Sequence, residues 1–174
     1  MPDSNVNHPD HSASGPFECV ELAGLYPFKG GNAIKYAYRW KDKNGVEDLR
    51  KARWYLTEST MADLRPIPSD PGDAIRMLRT LERLDWRDMR GFWKGMREIA
   101  RGHESGVTRA TRFLERRIAL LESPLDEDER TVLPFVWMCE DIPAGLSGSA
   151  HRLRARGLVS FDAATGWNPA CMGR

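Results

Sequence analysis

The sequence predicts a mainly α-helical protein, and two observations point to that class. Apolar residues recur at three- and four-residue spacing along most of the chain, which is the pattern of helices that bury one face. Turn signals, such as Asn44-Gly45 and the segment RPIPSDPGD, divide these stretches into helices of ordinary length. We therefore expect a small N-terminal helical domain, a helical bundle, and a C-terminal helix with a short β-hairpin.

The overall composition excludes several protein classes. The 174-residue chain carries 26 lysines and arginines against 25 aspartates and glutamates, so a globally basic nucleic-acid-binding protein is not expected. No apolar run approaches the roughly 20 residues that span a bilayer, and the polar N-terminus lacks the apolar core of a secretory signal, so we expect no membrane partner. Cys19, Cys139 and Cys171 lie far apart and outside any CxxC motif, which suits a reducing cytoplasm rather than a disulfide framework or a zinc ribbon.

The N-terminal region begins with a polar arm, residues 1–16, which has almost nothing to bury. A short helix is expected from Phe17 to Leu25. Pro27 and the Gly30-Gly31 pair are expected to stop it, because proline and glycine interrupt helices.

Two further helices are expected before residue 65. The first is capped by Asn32 and ends near Asn44-Gly45. The second carries Glu47 and Asp48 in its first turn, where the positive end of the helix dipole favours carboxylates, and runs through Leu56.

The middle of the chain predicts a helical hairpin or small bundle. Asp70-Pro71 is an N-cap followed by a proline at the first helical position. Three apolar stripes follow at helical spacing: Ala74, Ile75, Leu78, Leu81 and Leu84; Trp86, Met89, Trp93, Met96 and Ala100; and Val107, Ala110, Leu114, Ile118 and Leu121. We interpret this region as a scaffold whose tryptophans and methionines form the core.

The C-terminal region changes character after Ser123-Pro124. It predicts a helix with a kink or restart at Pro134, a second helix, a strand from Leu158 to Phe161, and another strand at Trp167. This order fits either a winged helix or a helix-plus-hairpin cap with a solvated basic face. In the winged-helix interpretation, contacts to DNA or a partner would come from His151, Arg152, Arg154 and Arg156. The predicted segments are thus an arm (1–16), a helical domain (17–65), a scaffold (70–122) and a helix-plus-hairpin module (123–174).

The helix after the glycine pair carries polar residues where an apolar stripe is usual. Asn32, Lys35, Tyr36 and Arg39 recur at i, i+3, i+4 and i+7, and the next helix places Asp48, Lys51 and Tyr55 at i, i+3 and i+7. Cations, an amide and aromatic rings suit a phosphorylated or nucleotide-like ligand, because guanidinium binds phosphate oxygens and a ring stacks on a base. The alternative is a solvated face held by ion pairs at three- and four-residue spacing.

The arm adds His8 and His11, three residues apart, with Glu18 and Glu21 following on the first helix. Their spacing is unlike that of a structural zinc site, so a histidine acting as proton donor, phosphate contact or structural anchor is expected instead. The chain contains no GxxxxGK[ST], GxSxG or HExxH motif.

These residues carry a family resemblance. The stretch "VNHPDH…GPFECVEL…GGNAIKYAYRWKDKNGVEDLRKARWYL", residues 6–57, resembles the SaV-like family of tailed phages. That family has an Asn-His-Pro-x-His-Tyr arm, then Glu-Cys-Ile, Gly-Asn-Ala-x-Lys-Tyr-x-x-Arg and Glu-Asp-Leu-x-Lys-Ala-x-x-Tyr-Leu. The residues here that match are Asn7, His8, Pro9, His11, Glu18, Cys19, Gly31, Asn32, Ala33, Lys35, Tyr36, Arg39, Glu47, Asp48, Leu49, Lys51, Ala52, Tyr55 and Leu56. Ser12 departs from the pattern, where the family has tyrosine.

The family includes a nucleoside-monophosphate kinase that lacks a P-loop, so the resemblance implies a nucleotide kinase using ATP and Mg²⁺. It would place Lys35, Arg39 and Lys51 on the phosphates of donor and acceptor. Glu18 or Asp48 would hold Mg²⁺ or orient the acceptor, and His8 or His11 would contact the transferring group. The implied nucleotide-binding set is Asn32, Lys35, Tyr36, Arg39, Lys51 and Tyr55.

A domain of this size is expected to need a second subunit to close such a site, so homo-oligomerisation in the host-cell cytoplasm is predicted. Two alternatives to the kinase are a protein that sequesters a nucleotide without turnover, as a phage counter-defence factor, and an interaction protein whose C-terminal module docks DNA or a host protein. An all-helical nucleotide pyrophosphohydrolase is disfavoured, because it needs clustered carboxylates where this chain is cationic.

Overall fold

The computed structural model describes residues 15–67, 70–137, 142–156, 158–162 and 166–169. These residues are mainly helical, which confirms the predicted fold class. The helices are α1 (Cys19–Ala23), α2 (Phe28–Arg39), α3 (Val46–Thr57), α4 (Met61–Leu64), α5 (Gly72–Arg83), α6 (Arg90–Ala100), α7 (Ser105–Glu122), α8 (Glu127–Trp137) and α9 (Ser147–Ala155), with single 3₁₀ turns at Trp86–Asp88 and Ala144–Leu146. Two strands follow, β1 (Val159–Asp162) and β2 (Gly166–Pro169). No helix among these residues is long and apolar enough to cross a membrane.

The chain divides into two compact units, residues 1–119 and 120–174. The predicted helical domain and most of the predicted scaffold both lie in the first unit. Hydrogen bonds from two indoles join these segments: Trp40 Nε1 donates to the carbonyl of Arg87 at 3.1 Å, and Trp86 Nε1 donates to the carbonyl of Tyr38 at 3.3 Å. Segments 17–65 and 70–122 therefore share hydrogen bonds within one unit.

The start of α2 differs from the prediction, which placed an N-cap at Asn32 after a helix-stopping glycine pair. The helix begins at Phe28, so Gly30 and Gly31 lie inside it and are buried. A Cβ added at Gly30 would lie 2.7 Å from the carbonyl oxygen of Asp63, and one at Gly31 would lie 2.8 Å from that of Ala23. These glycines therefore allow the close approach of neighbouring backbone instead of ending a helix.

The beginnings of α3 and α5 follow the sequence closely. Glu47 and Asp48 occupy the first turn of α3, as predicted, and Gly45 precedes the helix with a positive φ of 57° that favours glycine. Asp70 Oδ1 accepts a hydrogen bond from the backbone N–H of Gly72 at 2.9 Å. The helix starts at Gly72, one residue after the predicted first position, and its N-cap is Pro71 instead of the predicted Asp70.

The turn between α5 and α6 has an unusual backbone. Asp85, Arg87 and Asp88 have φ values of 47°, 58° and 57°, in the left-handed region that residues other than glycine seldom adopt. Asp85 Oδ1 accepts from the backbone N–H of Arg90 at 2.8 Å, and Asp88 Oδ2 accepts from Arg117 Nη2 at 3.0 Å. These contacts hold the turn in a conformation that costs free energy locally.

Helices α6 and α7 cross at a pair of glycines. A Cβ added at Gly106 would lie 2.4 Å from the carbonyl oxygen of Gly95 and 2.8 Å from the backbone nitrogen of Ile99. The two helix backbones therefore touch at this crossing, and the buried residues Phe92, Trp93 and Met96 of α6 fill the surrounding core.

The second unit contains α8, α9 and the hairpin. Helix α8 runs through Pro134 without a restart. Strands β1 and β2 pair antiparallel with Phe161 opposite Trp167, so the predicted hairpin is present. The apolar cluster of this unit is formed by Val132, Val136, Ala150, Leu153 and Val159.

Candidate functional site

Helices α2 and α3 bring the predicted polar residues together around one tyrosine ring. Lys35 Nζ lies 5.5 Å from the centroid of the Tyr36 ring, Arg39 Cζ lies 5.0 Å from it, and Lys51 Nζ lies 5.7 Å from it. All three distances are within the range of cation–π attraction. The apolar sides of the two helices, including Ala37, are buried, so this face points away from the core.

A set of aromatic rings extends from Tyr36. Tyr55 stacks on Tyr36 with a centroid separation of 5.8 Å and an interplanar angle of 16°. Phe28 and Trp54 meet Tyr55 edge-on, at 6.1 Å and 5.0 Å between centroids. Phe28 is 76% exposed and Trp54 is 54% exposed, which is unusual for such large apolar side chains. The four rings form an aromatic surface bordered by cations, in which Tyr36 and Tyr55 are half-buried. We call it the tyrosine face (Phe28, Tyr36, Trp54, Tyr55, with Lys35, Arg39 and Lys51).

Arg39 is anchored by a buried carboxylate. Its Nε lies 3.1 Å from Asp48 Oδ2, and Asn44 Nδ2 donates to Asp48 Oδ1 at 3.1 Å. Asp48 is fully buried, and the Arg39 side chain is 14% exposed. Both carboxylate oxygens therefore have donors, and the pair fixes the guanidinium beside the Tyr36 ring.

The two lysines of the face differ in their partners. Lys51 Nζ lies 2.5 Å from Glu47 Oε1, an ion pair between neighbouring turns of α3. The hydrogen bond that Lys51 donates to Glu47, together with the nearby negative charge of Asp48, raises the pKa of Lys51. Within the described part of the chain, Lys35 has no carboxylate at ion-pair distance. Lys35 is therefore the exposed cation of this face whose charge is not already matched.

The remaining N-terminal candidates have structural contacts. Asn32 Nδ2 donates to the carbonyl of Phe28 at 2.8 Å, one turn earlier in α2. Glu18 is the N-cap of α1 and forms a capping box with Glu21, whose Oε1 accepts from the Glu18 backbone N–H at 2.7 Å. Burial raises the pKa of the neighbouring Cys19 thiol to about 12, against the opposing effect of the positive charges of Arg39 and Lys35. The thiol is therefore neutral and not activated.

The predicted Mg²⁺ ligands do not fit a metal ion in this arrangement. Asp48 is buried with a donor on each carboxylate oxygen, so Mg²⁺ would have to displace Arg39 or Asn44. Glu18 is occupied in capping α1. Across the described ranges, no group of three or more His, Cys, Asp or Glu side chains could hold a metal ion. His8 and His11, and the departure at Ser12, lie outside the described residues.

The C-terminal candidates also have partners. Arg156, only 7% exposed, pairs with Glu129 Oε2 at 2.9 Å and donates to backbone carbonyls, so it joins α9 to the segment before α8 and is unavailable to DNA. Arg152 Nη2 lies 3.1 Å from Asp126 Oδ2, and its Nε lies 3.6 Å from Glu129 Oε1. The His151 ring meets Trp167 edge-on at 5.1 Å. Of the basic residues predicted here to contact DNA, Arg154 is exposed without such a contact among the described residues.

Sequence reasoning missed two features of the first unit. Phe28 was placed before the helix that it begins, so its ring was not assigned to the face. A cleft of about 550 Å³ between α5 and α6 was also missed; its lining residues are Arg79, Glu82, Arg83, Arg90 and Arg97. The i, i+4 spacing of Arg79 and Arg83 places both on one face of α5, which forms one wall of the cleft. The other wall belongs to α6, and the sequence does not indicate that the two helices pack together.

The comparisons with known proteins place the tyrosine face within a matched segment. Residues 6–57 match the sequence model of a family described as a protein of unknown function, DUF3310. No curated protein and no solved structure matches the chain. The matched segment ends at Thr57, where α3 also ends, and contains all seven residues of the tyrosine face. The N-terminal segment of this chain is thus similar to an uncharacterised family whose match includes α1, α2 and α3.

Proposed function

We propose that the tyrosine face binds a nucleotide. The observation that carries this proposal is the grouping of three cations around Tyr36, beside the exposed rings of Phe28 and Trp54. A nucleotide joins a flat base to charged phosphates, so it matches a surface that offers stacking and positive charge side by side. Lys35 is the cation best suited to a phosphate, because its charge is not matched by a neighbouring carboxylate.

The reaction proposed for this site is phosphoryl transfer of the P-loop-independent kind. The resemblance of residues 6–57 to the SaV-like family supports it. The γ-phosphoryl group of ATP would pass to a nucleoside monophosphate, yielding ADP and the nucleoside diphosphate. Such transfer depends chiefly on positioning and on neutralising phosphate charge, which Lys35 and the fixed guanidinium of Arg39 can supply.

Nucleotide sequestration without turnover is the second candidate. It is favoured by the engagement of Asp48 and Glu18, because the two carboxylates expected to hold Mg²⁺ already serve as an anchor and a helix cap. A phage counter-defence protein could act by binding a nucleotide in this way, without catalysing any reaction.

One experiment separates these candidates. The purified full chain is denatured and released small molecules are identified by mass spectrometry. In parallel, ATP consumption is measured with each of the four deoxynucleoside monophosphates. Turnover supports the kinase, and a retained, unmodified nucleotide without turnover supports sequestration.

The variants Lys35→Ala and Tyr55→Ala locate the site. Loss of the Lys35 charge is expected to weaken nucleotide binding about tenfold in calorimetric titration with ATP, equivalent to about 1.4 kcal/mol. Lys43→Ala is the matched control, since Lys43 is an exposed lysine in the turn between the same two helices. Equal weakening by Lys43→Ala, or no binding by the unaltered protein, would contradict the proposal.

A further inference from the structure

Two arginine-lined clefts flank helix α6. The first, of about 550 Å³, lies between α5 and α6 and includes Arg79, Arg83, Arg90 and Arg97. The second, of about 500 Å³, lies between α6 and α7 and includes Arg109, Arg112 and Arg116. Neither cleft shares a residue with the tyrosine face, and both lie outside the segment that matches a family.

Most of this positive charge is unmatched. In the first cleft, the carboxylate of Glu82 is held by Arg97 Nε at 2.6 Å, and both side chains are largely buried. In the second, Glu98 pairs with Arg109 at 2.9 Å. The arginines that remain are exposed and have no carboxylate at ion-pair distance among the described residues: Arg79, Arg83, Arg90, Arg112 and Arg116. In a chain whose formal net charge is only +1, this is a local concentration of positive charge.

Two consecutive residues in the first turn of α6 line different clefts. Arg90 lines one cleft and the next residue, Gly91, lines the other. An eleven-residue helix such as α6 is about 16 Å long at 1.5 Å per residue. A nucleic-acid strand lying along α6 over this length would present at least two successive phosphates to the two clefts.

We propose that the clefts on either side of α6 bind the phosphodiester backbone of a nucleic acid, independently of its sequence. Guanidinium groups bind phosphate oxygens through two parallel hydrogen bonds, so the exposed arginines of the two clefts can pair with successive phosphates of one strand. The hydroxyls of Ser105 and Thr108 line the second cleft and supply further donors to phosphate. Among the described residues that line the two clefts, Phe113 is the one aromatic residue, so base stacking contributes little to this surface.

The test measures binding of the full chain to fluorescein-labelled DNA, single-stranded and duplex, and to RNA of the same length, by fluorescence anisotropy over a series of salt concentrations. Saturable binding that weakens with salt is expected. The double variant Arg79→Gln/Arg83→Gln should bind at least tenfold more weakly and lower the salt-dependence slope by about 2, one for each phosphate that is no longer neutralised. Lys43→Gln/Arg130→Gln removes two exposed cations elsewhere and should leave affinity within twofold, with circular dichroism checking that both variants fold.

Four results would overturn the proposal. They are no saturable binding by the unaltered chain at low salt, equal weakening by the control double variant, binding of labelled polyglutamate as tight as that of DNA, and displacement of DNA by micromolar ATP. The third result would assign the clefts to an acidic protein segment. The fourth would assign them to a mononucleotide.

Discussion

The substitution Asp48→Asn tests how the tyrosine face is held in place. Asparagine has nearly the shape of aspartate, but it removes the negative charge and replaces one acceptor oxygen with an N–H₂ group. Asp48 has Arg39 Nε on one oxygen and Asn44 Nδ2 on the other, both at 3.1 Å. If the new N–H₂ group faces Arg39 Nε, two donors meet; if it faces Asn44, the Asn44 amide must flip to present its oxygen as acceptor.

The expected cost follows from burial. Removing one partner of a buried ion pair destabilises a protein by roughly 3–5 kcal/mol, because the other charge stays buried without compensation. Asp48 is fully buried, whereas Arg39 retains 14% exposure and hence some hydration, so we expect about 2–4 kcal/mol. The matched control is Glu47→Gln in the same turn of α3. Glu47 is exposed and its pair with Lys51 spans one helical turn, so that change should cost about 0.5 kcal/mol or less.

The assay is urea unfolding followed by far-ultraviolet circular dichroism, with the double variant Arg39→Gln/Asp48→Asn completing a thermodynamic cycle. The double variant should cost less than the sum of the single changes, because it leaves no buried unpaired charge. A cost for Asp48→Asn no larger than that for Glu47→Gln would refute the assignment of Asp48 as the anchor of Arg39. Full stability combined with loss of nucleotide turnover would point to a metal-binding role for Asp48 instead.

Two further predictions concern the first unit. Burial raises the pKa of Cys19 to about 12, so in a Cys139→Ser/Cys171→Ser protein the native thiol should resist iodoacetamide near neutral pH and react only in urea; equal rates in both conditions would contradict the burial. Because the folded state retains this proton above the thiol's ordinary pKa of 9.0, stability should fall as pH rises from about 9 towards 12, and Cys19→Ala should flatten that fall in urea midpoints. The variant Gly106→Ala should destabilise the first unit by about 1–3 kcal/mol in the same urea assay, because its Cβ would meet the backbone of α6. In contrast Gly148→Ala, where the nearest atom is a side-chain nitrogen 3.8 Å away, should be neutral or stabilising.

The sequence correctly predicted helix starts that are determined by residues adjacent in the chain. The first turn of α3 follows from Glu47 and Asp48 at the positive end of a helix dipole, and α5 begins within one residue of the position that Asp70-Pro71 predicts. The predicted start of α2 was wrong because a glycine pair such as Gly30-Gly31, judged from the local sequence alone, interrupts a helix. Its real role depends on carbonyl oxygens that the fold brings within 3 Å of those positions, and neither comes from α2 itself.

In the candidate site, too, the features set by local sequence were predictable and those set by helix packing were not. Helical spacing was enough to place Lys35, Tyr36 and Arg39 on one face, since the period of a helix is a local property. The burial of Asp48 depends on how the turn at 40–45 folds α3 against α2, which spacing does not specify. The cleft beside α6 depends on two helices and a strained turn, so its arginines looked like an ordinary solvated surface in the sequence.

Two groups of arginines among the described residues have different physical roles. Arg39, Arg97 and Arg156 are each at most 14% exposed and pair with a carboxylate that is itself largely buried. Losing such a guanidinium leaves a buried charge uncompensated, so its effect belongs in the free energy of unfolding. Exposed arginines such as Arg79 and Arg83 have no such partner, and desolvating them against phosphate releases counterions instead. Their loss should alter the salt dependence of binding while leaving unfolding almost unchanged. Burial and pairing, more than residue type, therefore separate the cations that hold this fold together from those available to a ligand.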